Sequence, residues 1–277
     1  MITFNLSGDL GEQLFQVFTL ISYAIDNKLP FIFPYLLKNG EQTYWDNVFK
    51  NVRKLTTNPE FFQNYERMTN LLHQHTPYHE PQYNYSDIPP SMDNIMFYGK
   101  YQSYKYFDAH KGEIYRYLEI EYLKLQIKNR CIEYFGETTV CIDFYTGNDS
   151  EEMDFILPYQ YYEDAIAQIP EDQIRFCNYM WMGDVGRNDS KHVMAMVKKL
   201  EERFKIHIPK VVYINDWERV LLASCCDCNI ISNSMTGWWS AYLNDNEDKR
   251  VVCPSQWFVD ERDVTDLIPE SWQIVYI

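Results

Sequence analysis

Apolar residues follow two spacings along this chain, and the two spacings alternate. Residues 138–144 form a β-branched, apolar run typical of a buried strand, whereas apolar residues within 14–25 recur at the spacing of a helix face. We predict strands at 2–6, 30–34, 138–144, 175–182, 211–214, 230–232 and 251–254. We predict helices at 14–25, 111–135, 159–169, 190–204, 217–226 and 238–243. The stretch 57–97 is polar and rich in Pro and Tyr, and we expect short helices and long loops there.

The same pattern predicts two domains with a boundary after residue 135. Residues 1–135 open with a strand, a loop that contains Gly8 and Gly11, and a helix, so this loop should lie at the ligand edge of a sheet. Residues 136–277 begin again with a strand. Strands that alternate with helices favour parallel sheets. The expected architecture is therefore an α/β fold of two Rossmann-like domains that face a cleft.

The composition is that of a folded globular protein. Hydrophobic residues make up 46% and charged residues 23% of the 277 positions, which excludes a disordered chain. The net charge of −15 argues against nucleic acid and anionic membrane surfaces as partners. No apolar run of about 18 residues predicts a membrane span, and the first strand lacks the basic start of a signal peptide. Seven cysteines, an odd number, fit a reducing compartment, so we expect a cytoplasmic protein.

The stretch 230–243, which reads IISNSMTGWWSAYL, carries the most chemical information. Two β-branched residues lead to Ser232, Asn233 and Ser234, and a helix-like run with two tryptophans follows. In an α/β sheet a ligand lies beyond the carboxyl end of a strand, where helix amides point at it. The three polar residues are therefore candidates for ligand binding. Capping of the helix is the structural alternative.

Two clusters contain residue types that bind metal ions. The three cysteines within 225–228 lack the C-x-x-C spacing, and the end of a helix is the alternative explanation. The three histidines within 73–79 have no cysteine or acidic cluster beside them, and a solvated loop is the alternative. We therefore expect no metal site.

Five blocks occur in an order that a known family shares. One is the SNS…WW run within 230–243, and the others lie at 8–16, 98–107, 157–162 and 251–272. They resemble S-N-S-x-x-x-W-W-x-A-x-L, G-G-L-G-N-Q-x-F-Q, G-Y-x-Q-S-x-K-Y-F, L-P-x-x-Y-Y and the closing block of the glycosyltransferase family that contains bacterial α-1,2-fucosyltransferases (family 11). The likeness spans nearly the whole chain.

The resemblance implies a metal-independent, inverting glycosyltransferase of the GT-B type. Residues 1–135 would form the acceptor side and residues 136–277 the donor side, with a GDP-sugar such as GDP-fucose as donor and a glycan hydroxyl as acceptor. The chain lacks the Asp-x-Asp motif of metal-dependent transferases, so no metal or cofactor is expected. The predicted donor-binding residues are Gly8, Gly11, Gln13, Asp143, Tyr145, Gly147, Asn148, Asp184, Arg187, Ser232, Asn233, Ser234 and Met235.

One family motif is altered. The family's H-x-R-x-G-D, whose arginine is implied to hold the donor diphosphate, corresponds to residues 143–148, and only Gly147 matches. Tyr145 stands in the place of the arginine. Asp143, at a strand end, could hold a ribose hydroxyl, whereas its charge would be unfavourable in a phosphate pocket. The alternative function is therefore a glycosyltransferase-like pseudoenzyme that binds glycans or a protein without catalysis.

Other groups could bind a diphosphate without that arginine. Amides at the helix start after Ser234 are suited to anions. Arg187, Lys191 and Lys105 are cationic candidates, and a solvated surface charge is the alternative for each. By resemblance, Asp184 reads the base of the nucleotide, with capping of a loop as its structural alternative.

Glu12 is the candidate general base. It replaces the family's asparagine in G-N-Q. A carboxylate at a helix N-terminus is stabilised by about 0.3–1 kcal/mol, which is a sufficient structural explanation. The functional hypothesis is that Glu12 takes the proton of the acceptor hydroxyl.

Overall fold

A computed structural model describes residues 1–35, 42–61, 67, 70, 72, 74–145, 156–182, 190–260 and 262–277. The chain divides into two compact units. The first comprises Met1–Tyr122 and Asp263–Pro269, and the second Leu123–Arg262 and Glu270–Ile277. The division therefore falls between Tyr122 and Leu123. The sequence pattern predicted the domain boundary later, after residue 135.

The packing of the helix that contains Leu123 explains where the chain divides. Leu123 and Ile127 are buried, and the Lys124 ammonium donates to the Leu243 carbonyl and to Asp245, both at 3.0 Å. These contacts attach the helix to the second unit.

The first unit contains a parallel sheet of three described strands. Their order is β1 (Thr3–Phe4), β3 (Ile95–Tyr98) and β2 (Thr76–His79). Helix α1 (Leu10–Asn27) follows β1, and α2 (Lys111–Leu118) packs against it. Short 3₁₀ helices occupy Lys50–Leu55, Tyr104–Tyr106 and Asp108–His110.

Three predictions for this unit were wrong. The stretch 57–97 contains β2 and most of β3. Pro77 lies inside β2, and because proline is rare within strands the sequence pattern did not predict this strand. Residues 30–34 form isolated bridges, from Phe31 to Ile2 and from Phe33 to Thr56, rather than a strand. The predicted helix 111–135 is broken into α2 and α3 (Ile120–Arg130), because Glu119 takes a left-handed conformation with φ of 53°.

The carboxyl-terminal segment returns to the first unit. Asp266 pairs with Lys105, accepts from the Tyr85 backbone N–H at 3.1 Å and, through its carbonyl, from the Ser103 hydroxyl at 2.7 Å. Asp263 accepts from the Asn84 side chain at 3.0 Å. Asp263–Pro269 is thus part of the fold of the first unit.

The second unit contains a parallel sheet with six described strands. The strands are β4 (Thr139–Asp143), β5 (Asn178–Met182), β6 (Lys210–Val211), β7 (Cys228–Ile230), β8 (Arg250–Pro254) and β9 (Gln273–Val275). The helices are α4 (Tyr159–Ile166), α5 (Glu171–Ile174), α6 (Ser190–Phe204), α7 (Asp216–Ala223) and α8 (Met235–Tyr242). The strand β9 was not predicted from the sequence, which placed the last strand at 251–254.

The strand order of this sheet is that of a Rossmann fold. The order is β6-β5-β4-β7-β8-β9, with all neighbours parallel. Counted from β4, this is 3-2-1-4-5-6, and the direction of winding reverses between β4 and β7. Ligands of such sheets bind beyond the carboxyl ends of the strands at this switch point. The predicted α/β fold with parallel sheets is confirmed.

Buried side chains on one face of this sheet pack against its helices. Val140 and Ile142 of β4 are fully buried and pack with the apolar side of α6, where Leu200 is also fully buried. The Tyr161 hydroxyl of α4 donates to the Ile231 carbonyl, so α4 is fixed to the chain just after β7. Among the described residues, no helix is both long and apolar enough to cross a membrane.

Candidate functional site

Three polar side chains meet at the switch point of the second sheet. Asp143 ends β4, and Ser232 and Ser234 follow β7, its parallel neighbour. Asp143 Oδ2 accepts from the Ser234 hydroxyl at 2.8 Å, from the Ser232 backbone N–H at 3.3 Å and from the Ser232 hydroxyl. We call Asp143, Ser232, Ser234 and Gly237 the switch-point cluster. The sequence predicted its three polar members as ligand-binding residues.

Ser234 also begins helix α8. It is the N-cap residue, and its Oγ accepts from the Gly237 N–H at 2.9 Å while its hydroxyl donates to Asp143. The capping alternative is therefore correct for Ser234, and the same hydroxyl links the helix to the end of β4. A Cβ atom at Gly237 would lie 2.5 Å from Asp143 Oδ2 and 2.8 Å from Ser234 Oγ. Glycine at 237 lets the carboxylate lie against the first turn of α8.

Aromatic side chains pack against one another beside the end of β4. The rings of Phe144 and Tyr162 lie 4.5 Å apart, and Phe144 meets Trp181 edge-on at 5.8 Å. Burial raises the pKa of the Tyr162 hydroxyl well above its ordinary value, and the negative charge of Asp143 adds to this. The hydroxyl therefore stays protonated at neutral pH. Tyr145, which follows Phe144, is partly exposed.

The other predicted residues near α8 have different surroundings. Asn233 is 7% exposed, and its side-chain NH₂ donates to the Trp257 carbonyl at 3.2 Å. This bond ties the loop after β7 to the loop after β8. Met235 is the first residue of α8 and is partly exposed. Gly147, Asn148, Asp184 and Arg187 lie outside the described residues.

The Gly8 loop of the first unit is built around Glu12. Gly8 has φ of +83°, a conformation that favours glycine, and a Cβ atom there would lie 1.6 Å from Glu12 Oε2. Asp9 caps α1 by accepting from the Glu12 N–H at 3.1 Å. The buried Gln13 side chain donates to the Gly8 carbonyl at 2.8 Å, and Gly11 is buried in the first turn of α1. Gln13 therefore helps to hold the shape of this loop.

The carboxylate of Glu12 forms an ion pair with Lys100. The distance between Glu12 Oε1 and Lys100 Nζ is 2.6 Å, and the Glu12 side chain is 20% exposed. Lys100 follows β3. The Gln16 side chain accepts from the Ser7 N–H at 3.0 Å and donates to the Gly99 carbonyl at 3.2 Å, which joins the loops after β1 and β3. The carboxyl edge of the first sheet thus carries a paired carboxylate and ammonium.

Glu80 completes this edge, and sequence reasoning did not identify it. It follows β2 and accepts from the backbone N–H groups of Lys100, at 2.8 Å, and Tyr101, at 3.0 Å. Burial raises the pKa of Glu80 above its ordinary value, although those two hydrogen bonds and the Lys100 charge oppose the shift. Glu80 fixes the turn that presents Lys100 to Glu12. With β2 unrecognised, no signal in the sequence marked Glu80 as an edge residue.

Lys105 and Lys191, two of the cationic candidates for binding a diphosphate, have different surroundings. Lys105 forms an ion pair with Asp266 in the first unit. Lys191 lies exposed on α6. Lys105 therefore has an acidic partner within the described part of the chain.

Within the described part of the chain, no group of three or more His, Cys, Asp or Glu residues is arranged to hold a metal ion. His73, one of the three histidines within 73–79, lies outside the described residues. Cys226 and Cys228 are buried, and burial raises the pKa of the Cys228 thiol to about 12, so it stays protonated. His75 lies 3.0 Å from the Met1 carbonyl, and His79 stacks on Tyr98.

Comparison with known proteins relates this chain to glycosyltransferases. No family model matches the sequence. Over 136 residues the chain is 31% identical to the O-antigen biosynthesis glycosyltransferase WbnK of Escherichia coli, and the match covers 47% of this chain and 40% of WbnK. The matched stretch thus spans less than half the length of that relative.

Two solved structures are similar over most of the chain. An arginine-to-lysine mutant of Arabidopsis thaliana FUT1 in complex with GDP gives a TM-score of 0.46 at 11% identity, covering 91% of this chain and 70% of FUT1. A family 9 glycosyltransferase from Veillonella parvula gives 0.49 at 11% identity, covering 100% of this chain and 86% of that one. Likenesses this distant say nothing about substrate or mechanism. In sequence, the chain is glycosyltransferase-like.

Proposed function

We propose that the protein is a metal-independent, inverting glycosyltransferase that moves fucose or a related sugar from a GDP-sugar to a glycan hydroxyl. The observation that carries the proposal is the switch-point cluster on a parallel sheet of 3-2-1-4-5-6 order, where nucleotide ligands of such sheets bind. The identity to WbnK supports transfer of a sugar to a glycan, and the resemblance of five sequence blocks supports a GDP-sugar as donor.

The second unit would bind the donor. Its switch-point cluster offers two serine hydroxyls, one carboxylate and the first turn of α8, all held by mutual hydrogen bonds. Polar groups that are already oriented lose little entropy when a ligand binds, and this favours a defined donor position.

The first unit would supply the base. In the proposed reaction the acceptor oxygen attacks the anomeric carbon of the donor sugar, the bond from that carbon to the phosphate oxygen breaks, and GDP leaves with the bonding electrons. The Glu12 carboxylate takes the proton of the acceptor hydroxyl. Attack opposite the leaving group inverts the configuration at the anomeric carbon.

The test is calorimetric titration of the protein with GDP and GDP-fucose, with UDP as the control nucleotide. We expect saturable binding of GDP and GDP-fucose in the range of about 1–100 µM and much weaker binding of UDP. An acceptor screen with GDP-fucose, with and without EDTA, should then give product in both conditions. If none of the three nucleotides binds, the proposal is wrong, and a pseudoenzyme becomes the better description.

A further inference from the structure

The two carboxylate oxygens of Asp143 have different surroundings. Oδ2 accepts from Ser232 and Ser234. Within the described part of the chain, Oδ1 accepts no hydrogen bond, and the side chain is partly exposed. One oxygen therefore fixes the carboxylate to the protein, and the other remains able to accept a hydrogen bond from a ligand at the switch point.

Within the part of the chain that the structure describes, the charge of Asp143 is stabilised without a cation. No lysine, arginine or histidine among the described residues forms an ion pair with it, and its nearest partners are two hydroxyls, one amide and the first turn of α8. A helix N-terminus favours an anion, and here the protein supplies that anion itself. A second anion at the same turn would meet the repulsion of a like charge at short range.

Resting on the proposed function, we propose that Asp143 makes the switch point a hydroxyl-binding position from which phosphate is excluded. Oδ1 accepts a hydrogen bond from a sugar hydroxyl of the ligand, and the negative charge keeps a phosphate group away from the first turn of α8. A nucleotide sugar carries both chemical groups, so Asp143 sets which part of the donor lies over the end of β4. The hydroxyl belongs to the ribose or to the transferred sugar.

The exclusion of phosphate is tested with inorganic pyrophosphate and two variants. Asp143→Asn removes the charge and keeps the shape of the side chain. Asp227→Asn is the matched control, because Asp227 lies next to β7 at the opposite edge of the same sheet, where it accepts from the Thr139 N–H at 2.8 Å. Calorimetry should show pyrophosphate binding to Asp143→Asn at least about tenfold tighter than to the wild type or to Asp227→Asn. Equal affinities in all three proteins would overturn the inference.

The hydroxyl contact is tested with Asp143→Ser, which shortens the side chain so that no acceptor oxygen remains at the position of Oδ1. If the contact is to ribose, guanosine should bind this variant about tenfold more weakly than the wild type. If the contact is to the transferred sugar, guanosine binding should be unchanged, and any preference for GDP-fucose over GDP should disappear. An unchanged affinity for guanosine together with an unchanged preference for GDP-fucose would contradict a hydroxyl contact.

These outcomes separate this inference from the proposed function. Wild-type protein that binds GDP-fucose, with pyrophosphate binding unaltered in Asp143→Asn, keeps the proposed function and refutes the inference. Wild-type protein that binds no nucleotide, with pyrophosphate binding gained in Asp143→Asn, refutes the proposed function and keeps the exclusion of phosphate. Thermal unfolding of each variant checks that it is folded, and the Asn and Ser substitutions provide two independent neutral side chains at position 143.

Discussion

At the scale of single residues, Glu12 offers the most direct test of chemistry. Glu12→Gln preserves size and hydrogen bonding but cannot take up a proton. Transfer should fall by at least about 100-fold. The affinity for GDP should stay within about twofold, because the switch-point cluster is unchanged. Release of GDP in the presence of acceptor measures the first quantity, and calorimetry the second.

Asp26→Asn is the control for Glu12→Gln. Asp26 is the carboxylate near the other end of the same helix, where it pairs with His110 at 2.7 Å. Its removal should leave transfer intact. Turnover retained in Glu12→Gln would show that Glu12 is a helix-start residue that stabilises the Gly8 loop and is not the base.

The raised pKa of Glu80 predicts that the stability of the protein depends on pH. Its pKa is raised by burial, so the folded protein binds this proton more tightly than the unfolded chain does. The contribution of Glu80 to the free energy of unfolding is therefore greatest in acid and falls as the pH rises through the folded pKa. Urea unfolding should show the wild type losing stability relative to Glu80→Gln as the pH rises above the ordinary pKa of a glutamate.

The exposed Glu247 provides the matched substitution for that experiment. Glu247→Gln also removes one carboxylate, but from the surface. The difference between wild type and Glu247→Gln should change much less over the same pH range. If the wild type instead gains stability relative to Glu80→Gln as the pH rises, burial does not raise the pKa of Glu80.

The sequence predicted part of the candidate site at this scale. Asp143 could be identified from its place in the altered family motif at the end of a predicted strand, and Ser232 and Ser234 from the polar break after the apolar start of the stretch 230–243. Their mutual hydrogen bonds could not be predicted, because they depend on β4 and β7 being neighbours although they lie far apart in the chain. Asn233 stands in the same motif, yet its amide contacts Trp257.

At the scale of elements, we predict opposite effects of a glycine-to-alanine substitution in α8 and in α2. Alanine in place of glycine favours a helix by up to about 1 kcal/mol. At Gly112 in α2 no atom lies within 4 Å of a new Cβ, so Gly112→Ala should be stabilising. At Gly237 in α8 the Cβ would lie 2.5 Å from Asp143 Oδ2, so Gly237→Ala should destabilise the protein by about 1–3 kcal/mol. Chemical denaturation measures both.

A double variant identifies the source of that cost. In the background of Asp143→Ser the carboxylate is gone, so most of the destabilisation by Gly237→Ala should disappear. If Gly237→Ala costs the same with and without Asp143, the close approach of helix and carboxylate is not what requires glycine.

Long elements with regular apolar spacing were predicted better than short ones. The helix 190–204 matches α6, because four apolar residues on one side define its period. Strands β2 and β3 have four residues each, and β2 is mostly exposed, so neither shows an alternation that exceeds the background. β9 is also short and only partly buried. Its identity depends on pairing with β8, a contact that the local sequence does not encode.

At the scale of the whole molecule, the end of the chain serves both units. Glu270–Ile277 contributes β9 to the second sheet, and Asp263–Pro269 contributes Asp266 to the first unit. A chain that ends at residue 262 should therefore lose stability in both units, with a thermal midpoint lower by at least about 5 °C. Amide hydrogen exchange should show reduced protection around Tyr85 and Ser103 as well as in β8.

Removal of Tyr276 and Ile277 alone is the control for this truncation, because these two residues lie beyond β9. It should leave protection in the first unit unchanged. Normal protection around Tyr85 and Ser103 in the chain that ends at residue 262 would mean that the Asp266 contacts contribute little to the first unit.

The position of Asp263–Pro269 also affects the order of events during synthesis on the ribosome. Domains generally fold as units and from the N-terminus while the chain is being made. Here the first unit lacks the partners of Lys105, Ser103 and Tyr85 until Asp266 has been translated. Most of the second unit has by then left the ribosomal exit tunnel. The first unit is therefore expected to reach its final structure only after most of the second unit has been synthesised.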